Sequence, residues 1–305
     1  MRALLLRGPD GPDAASLADV PDPEGAHPWA GGERLLVEVH AAAVAYPDVL
    51  QSRAQYQHGA EPPYVVGGEY AGIVLEAPPG SRFTPGERVA GLSVWGSLAE
   101  RVLGVPRHTV KLPDGMSFAE GAAFYLNYVT ALFTLRRAGF IDGESVLVHG
   151  AAGGVGTATL DLLRGRARPS IAVVSTDAKA AVARRAGADV VVDPVGGDRF
   201  TDSLRALDVG GRLMVVGFAG GAIPEVKVNR LLLRDLSVVG VALEPWEQRH
   251  PGIAAELVAE LEQAAAGGRV RPLVGARLPF ERAGEALGVI DRREAEGKVV
   301  VDVRG

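Results

Sequence analysis

The sequence predicts an α/β chain in which a β-rich domain is interrupted by a doubly wound parallel sheet. Three observations predict it. The first third consists of short apolar runs broken by Gly and Pro. From Ser145 onward, continuous apolar runs alternate with helical segments. A glycine cluster stands directly after the first of those runs. At 305 residues the chain has room for two domains, each with its own core.

Taken in order, the apolar runs at 1–6, 34–40, 70–75, 87–91 and 98–103 predict strands of a barrel-like domain. Between Pro113 and Gly139 the pattern becomes helical, with Ser117 or a neighbour as the N-cap of one helix through AEGAAFYLNYVTALFTLRRAG. This helix reads as a hinge, which sets the domains at 1–116, 117–252 and 253–305, the last returning to the first. SVLVHG, IAVVS, DVVVD, GRLMVVGFAG and LSVVGVAL then predict buried parallel strands. Helices are expected over TATLDLLRG, AKAAVARRAG, 199–207, 230–234 and 253–266. The C-terminal VRPLVGARLPF, ERAGEALGVIDRREAEG and KVVVDV complete the first domain.

Charged residues make up 23% and apolar residues 47% of the chain, and the net charge is −5. No basic stripe tracks a nucleic-acid backbone, so nucleic acid is excluded as the expected partner. There is no cysteine, hence no disulfide framework and no thiolate zinc site. No apolar stretch reaches the length of a membrane span and the N-terminus lacks a signal-peptide core, which makes the cytoplasm the expected location.

The chemistry is concentrated in VLVHGAAGGVG (residues 146–156), a buried strand running into glycines and then a helix. A pyrophosphate needs bare backbone amides and the positive end of a helix dipole, and glycine lets it approach. Gly150, Ala152, Gly153, Gly154, Val155 and Gly156 are the expected cofactor contacts. The next strand ends in Ser175, Thr176, Asp177 and Lys179. Hydroxyls and an ammonium suit a 2′-phosphate and favour NADPH, although Ser175 also suits a helix cap and Asp177 leaves NADH open.

With HGAAGGVG, DPVGGD, GRLMVVGFAGG, AAAVAYPDVLQSRAQYQHGAEPPYVVGGEYAGIV, GSLAERVL, LPDGMSF, NYVTALFTLRRAG, VNRLLLRD and GKVVVDV, nearly the whole chain resembles the quinone oxidoreductase branch of the medium-chain dehydrogenases/reductases. The resemblance implies a GroES-like substrate domain and a Rossmann-type cofactor domain. In the zinc enzymes of that superfamily a cysteine and a Gly-His-Glu motif supply metal ligands. Here those segments read Ala45-Tyr46-Pro47-Asp48 and Gly67-Gly68-Glu69, and Glu69 alone holds no tetrahedral zinc, so no metal is expected.

The implied reaction is hydride transfer from NADPH to a quinone or conjugated enone, with a small apolar carbonyl compound as substrate. The resemblance points to Tyr56 as a proton donor or substrate orienter and puts Tyr46 and Asp48 in the same active-site segment. For both tyrosines, packing of a buried ring is the competing role. Asn127, Thr130, Gly217, Phe218, Ala219, Asn229 and Lys298 match cofactor positions, although Asn229 also suits a helix cap. Trp95, Tyr125 and Trp246 suit an apolar cleft or the core, and the histidines read as packing or surface residues.

One departure stands out. ARRAGADVVVDPVGGD runs together two motifs that a full family member separates by a strand and a helix, so about one βα unit is missing. The strand IAVVS is then expected at the sheet edge, with a weakened grip on the adenosine half of the cofactor. An enoyl-thioester reductase and a catalytically weakened NADPH-binding homologue are the alternatives. LSVVGVAL resembles the strand that pairs across the family's dimer axis, which implies a homodimer.

Overall fold

The computed structural model describes residues 1–173 and 188–304. Short β-prone runs with turn residues between them give β1 (Arg2–Leu6), β2 (Ala15–Asp19) and β3 (Leu35–Val44), followed by α1 (Tyr46–Gln51). β4 (Tyr64–Val65), β5 (Glu69–Glu76), β6 (Arg88–Leu92), β7 (Arg101–Gly104) and β8 (Thr109–Lys111) come next. Two helices, α2 (Phe118–Ala122) and α3 (Tyr125–Ala138), lead to β9 (Val146–Val148), α4 (Gly154–Leu162), β10 (Ser170–Ala172) and β11 (Ala188–Asp193). Then come α5 (Phe200–Ala206), β12 (Leu207–Val215), α6 (Asn229–Leu232), β13 (Ser237–Gly240) and α7 (Leu243–Arg249). α8 (Ile253–Ala266), β14 (Val274–Pro279), α9 (Ala283–Asp291) and β15 (Lys298–Asp302) close the described chain.

The chain divides into one compact unit of residues 1–126 and 254–305 and another of residues 127–253. The sequence reading put the first boundary after residue 116. It falls after Leu126 because α2 packs on β3 and β5, within the first unit. The second falls after Ile253 rather than residue 252. The expected single hinge helix is two helices. Ser117 caps α2 through a reciprocal pair with Glu120, and the helix closes in a tightened turn where Phe124 N–H bonds the Gly121 carbonyl at 3.1 Å.

In the first unit, β3 pairs antiparallel with β5, β7 and β15, and the sheet runs β14-β15-β3-β5-β6-β8. β1 lies between β2 and β4 in a separate three-stranded sheet. The core gathers Leu35, Val37 and Val39 of β3, Val299 and Val301 of β15, Tyr70, Phe83 and Phe280. A polar tie within it joins Tyr70 Oη to Thr109 Oγ1 at 2.7 Å.

The second unit holds a parallel sheet in the order β10-β9-β11-β12-β13. Val146, Val148, Val190, Val192 and Met214 face one side, packed with Leu135 and Ala138 of α3 and with Leu163. Leu147, Val191 and Leu213 face the other, packed with Phe200 and Leu204 of α5. Burial on both faces is why these strands read as unbroken apolar runs. The usual double winding places a further strand outside β10. Among the described residues β10 is the edge, and the described sheet has five strands. No described helix is long and apolar enough to cross a membrane.

Candidate active site

Three chain segments meet at the carboxyl ends of the parallel strands in the second unit. After β9 the chain turns at Gly150, in the left-handed region at φ 57°, and Gly153 N–H closes the turn on the Gly150 carbonyl at 2.8 Å. Gly153 is the N-cap of α4, so the first-turn amides of Gly154, Val155 and Gly156 have no partner inside the helix. A Cβ on Gly156 would collide with the Gly150 carbonyl oxygen, and one on Gly154 would lie 2.6 Å from Asn127 Nδ2. The backbone clash requires glycine at 156, and a side chain at 154 would displace the Asn127 amide. Ala152 lies exposed on the same turn.

Beside it, Pro194, Val195 and Gly196 follow β11. Asp193 is buried and its Oδ1 accepts the amides of Val195 and Gly196, both at 2.9 Å, which holds that loop in place. Gly217, Phe218 and Ala219 follow β12, and Ala219 N–H bonds the Pro194 carbonyl at 3.1 Å. Phe218 is 39% exposed, a large ring left open to solvent at this rim. Asn127 and Thr130 stand one turn apart on α3, the first buried against Gly154 and the second half-buried. The structure therefore gathers Gly150, Gly153, Gly154, Gly156, Asn127, Gly217 and Ala219 within one unit. These residues fit a dinucleotide whose pyrophosphate meets the open amides of α4.

Ser175, Thr176 and Lys179 lie outside the described residues. Asn229 is exposed as the first residue of α6, and since Val228 occupies the N-cap position, Asn229 is not the cap. Tyr128, next to Asn127, binds α3 to α4 through Asp161 Oδ2 at 2.7 Å. His149 is buried below the rim. Ser203 gives its hydroxyl proton to the Arg199 carbonyl, so His149 donates through Nε2 to Ser203 Oγ at 2.7 Å. Burial pushes this imidazole down, against the pull of Asp193.

In the first unit, Tyr46 opens α1 half-buried, and Tyr56 lies half-buried on the following loop with its ring edge-on to His58, centroids 5.6 Å apart. Asp48, expected to be catalytic, is 3% exposed and turns inward. Its Oδ2 accepts the amide of Ala45, the N-cap, at 2.7 Å, so the carboxyl reaches back to the start of its own helix rather than out to solvent. Burial pushes its carboxyl up to about 7; the Ala45 amide and Lys298 oppose the shift and Glu69 reinforces it. Lys298, expected at the cofactor, is also 3% exposed and directs its ammonium to Glu69, itself 1% exposed. Burial pushes the Glu69 carboxyl up while the ammonium and the Leu126 amide draw it down.

The sequence reading missed this pairing, since the partners lie 229 residues apart. The available signal is one charged residue at the head of each of two apolar strands, GGEYAGIV and GKVVVDV. Tyr125 and His108 are core residues joined Oη to Nδ1 at 3.0 Å. Trp246 is half-buried between the Arg137 guanidinium at 3.8 Å and the stacked His250 ring at 4.1 Å. No three described His, Cys, Asp or Glu side chains are grouped to hold a metal, and the acid that the zinc motif would supply is engaged by an ammonium. The described donor set does not fit zinc.

Residues 31–114 match the alcohol dehydrogenase GroES-like domain, and residues 166–301 match the family described as zinc-binding dehydrogenase. The chain is 32% identical over 295 residues to quinone oxidoreductase-like protein 2 of Bos taurus, covering 88% of this chain and 84% of the relative. A probable oxidoreductase from Mycobacterium abscessus is similar at 36% identity and a TM-score of 0.86, over 99% of this chain and 98% of that one. The quinone oxidoreductase from Thermus thermophilus, solved also in complex with NADPH, is similar at 33% identity and a TM-score of 0.82, over 99% and 100%. With the glycine turn, the parallel sheet and the GroES-like unit in one chain, this protein belongs to the medium-chain dehydrogenase/reductase family and is quinone oxidoreductase-like.

Proposed function

We propose that the chain is an NADPH-dependent oxidoreductase that reduces a quinone or conjugated enone without a metal. The observation that carries this reading is the rim at the carboxyl ends of β9, β11 and β12, where open α4 amides adjoin the Gly217–Ala219 segment. When bound there, NADPH supplies a hydride, and one proton from solvent completes the two-electron reduction. The chain's own residues bind and orient. The amides of Gly154, Val155 and Gly156 hold the pyrophosphate, Asn127 buttresses the turn, and Thr130 with Gly217–Ala219 borders the nicotinamide. Tyr46 and Tyr56 orient the carbonyl substrate. The donor set around Glu69 supports chemistry without Lewis-acid help.

NADPH oxidation followed with a naphthoquinone, a short enone and an enoyl-CoA in parallel tests the reading, with NADH run beside each. The expected result is turnover with the quinone or the enone and preference for NADPH. Turnover confined to the enoyl-CoA would move the chain to the thioester reductases, and no turnover with any would make it a binding protein. The lost adenine-side unit weakens cofactor grip, so fluorescence titration is expected to give a higher NADPH Kd than a full-length homologue shows. Equal affinity would refute the weakening.

A second copy completes the sheet. β13 pairs only with β12 among the described residues, and its other edge lies open, with Leu232 and Leu233 83% and 76% exposed just before it. Two such edges meeting across a two-fold axis form a homodimer. Light scattering at micromolar concentration is expected to give twice the chain mass; a monomer would rule this out. No membrane or nucleic-acid partner enters the proposal.

A further inference from the structure

We propose that Asp48 is a positioning residue that works as a neutral acid, sharing a buried charge site with Glu69 and Lys298 and holding the seat of α1, the helix that begins at Tyr46. The inference depends on the functional reading above only for the role given to Tyr46.

The site brings together two carboxyl groups and one ammonium from α1, β5 and β15, at 3%, 1% and 3% exposure. Lys298 is in direct contact with Glu69. An ionised Asp48 would add a second negative charge to a desolvated site whose cation is already engaged, and burial of an unmatched charge is strongly unfavourable. The bond from Ala45 N–H to Asp48 Oδ2, 2.7 Å long, requires no charge, because the carbonyl oxygen of a neutral carboxyl accepts it.

The neutral form also adds a donor where the structure leaves acceptors. Gln51, one helical turn further along α1, has a buried Oε1 without a protein partner, and so does the buried Tyr64 hydroxyl of β4. An ionised carboxylate accepts from the Tyr64 hydroxyl but offers nothing to Gln51 Oε1, which only a protonated group can satisfy. The titratable groups that act on Asp48 or feel it are Tyr64 on β4, Glu69 on β5 and Lys298 on β15, with Gln51 one turn along its own helix. The backbone closes the remaining side, since a Cβ on Gly68 would lie 3.5 Å from Asp48 Oδ1. Burial drives the carboxyl upward to about 7, so ionisation falls in the neutral range. When it occurs, Asp48 still accepts the Ala45 amide but loses the proton it can donate, and an unmatched charge is left beneath the first turn of α1, which begins at Tyr46.

The sign follows from linkage. The folded chain keeps a proton that the unfolded chain releases at its ordinary carboxylate pKa of 3.8, so Asp48 makes folding less favourable as pH rises toward about 7, and no further above it. Asp48→Asn removes this dependence. The ratio of the variant's folding constant to the wild type's is expected to rise up to about a hundred-fold between pH 5 and pH 7, then level off. In steady state, wild-type KM for the quinone is expected to climb through neutral pH with kcat little changed, and the variant's KM to stay flat across the same range.

Infrared difference spectra of the wild-type protein between pH 5 and pH 9 provide a check that needs no variant to fold. They are expected to show loss of a protonated-carboxyl C=O band that Asp48→Asn, where it folds, lacks. Parallel stability curves for the two proteins, or no such band in the wild type, would overturn the inference. The stability and infrared readouts do not involve turnover. Their failure with quinone turnover intact rejects the inference alone, and their success without turnover rejects only the functional reading.

Discussion

Gly156 has no room for even a methyl group, because the Gly150 carbonyl oxygen occupies that position. Gly156→Ala is therefore expected to push α4 off the turn and weaken NADPH binding by roughly ten-fold or more, about 1.4 kcal/mol, read by fluorescence titration. Unchanged affinity would mean that the amides of α4 do not hold the pyrophosphate. Lys298→Met tests the buried pair in the other unit. It leaves Glu69 without its cation at 1% exposure, and breaking such a pair costs about 3–5 kcal/mol in denaturant unfolding. Adding Glu69→Gln should recover much of that loss, whereas a loss of under about 1 kcal/mol in the single variant would show the pair to be solvated. The glycine turn is legible in the sequence because strand, glycines and helix are contiguous. The Asp48, Glu69 and Lys298 site is not, because it is assembled by strand pairing between β3, β5 and β15. Sequence reading therefore assigned Asp48 and Lys298 by motif position, and only the fold shows where their charged ends point.

Among the elements, α3 and α4 are joined beneath the glycine turn by a side-chain bond, Tyr128 Oη to Asp161 Oδ2 at 2.7 Å, both residues buried. Asp161 also takes Arg164 at 2.6 Å, so its charge is answered twice. Tyr128→Phe removes one hydrogen bond and leaves the ion pair, for an expected loss of about 1–2 kcal/mol in stability. Because Asn127 packs on Gly154 from the same helix, the variant's NADPH affinity should fall along with it; stability lost with affinity unchanged would separate α3 from the cofactor turn. The parallel strands are legible because both faces are apolar, and α8 runs over Ile253–Ala266 as its periodicity predicts. The break between α2 and α3 is not legible, since AEGAAFYLNYVTA carries no proline where the Phe124 amide turns back to the Gly121 carbonyl. β2 and β4 also escape sequence reading, being short edges that exist by pairing with β1.

For the whole molecule, buried titratable groups set opposing limits on stability. Burial pushes His27 down to about 4 and His108 down to about 3, with Arg107 lowering both further, and it also lowers His149. Unfolding frees these imidazoles to take protons at their ordinary pKa of 6.5, so their contribution is complete above that pH and is lost as pH falls toward the folded values. Asp48 acts in the opposite sense, favouring the folded chain most at low pH and least above about 7. Between pH 4 and pH 6.5 the three lowered histidines outweigh the two raised carboxyls, Asp48 and Glu69, so the thermal midpoint should fall as the solution is acidified. His108→Asn keeps a group able to hydrogen bond Tyr125 Oη but cannot be protonated in this range. Its unfolding free energy should decline less steeply from pH 6.5 to pH 4.5, by on the order of 2 kcal/mol, after allowance for a constant packing loss. A variant curve that stays parallel to the wild type's would mean that His108 already titrates normally in the folded chain, and the acid limb would then have to come from the other buried groups.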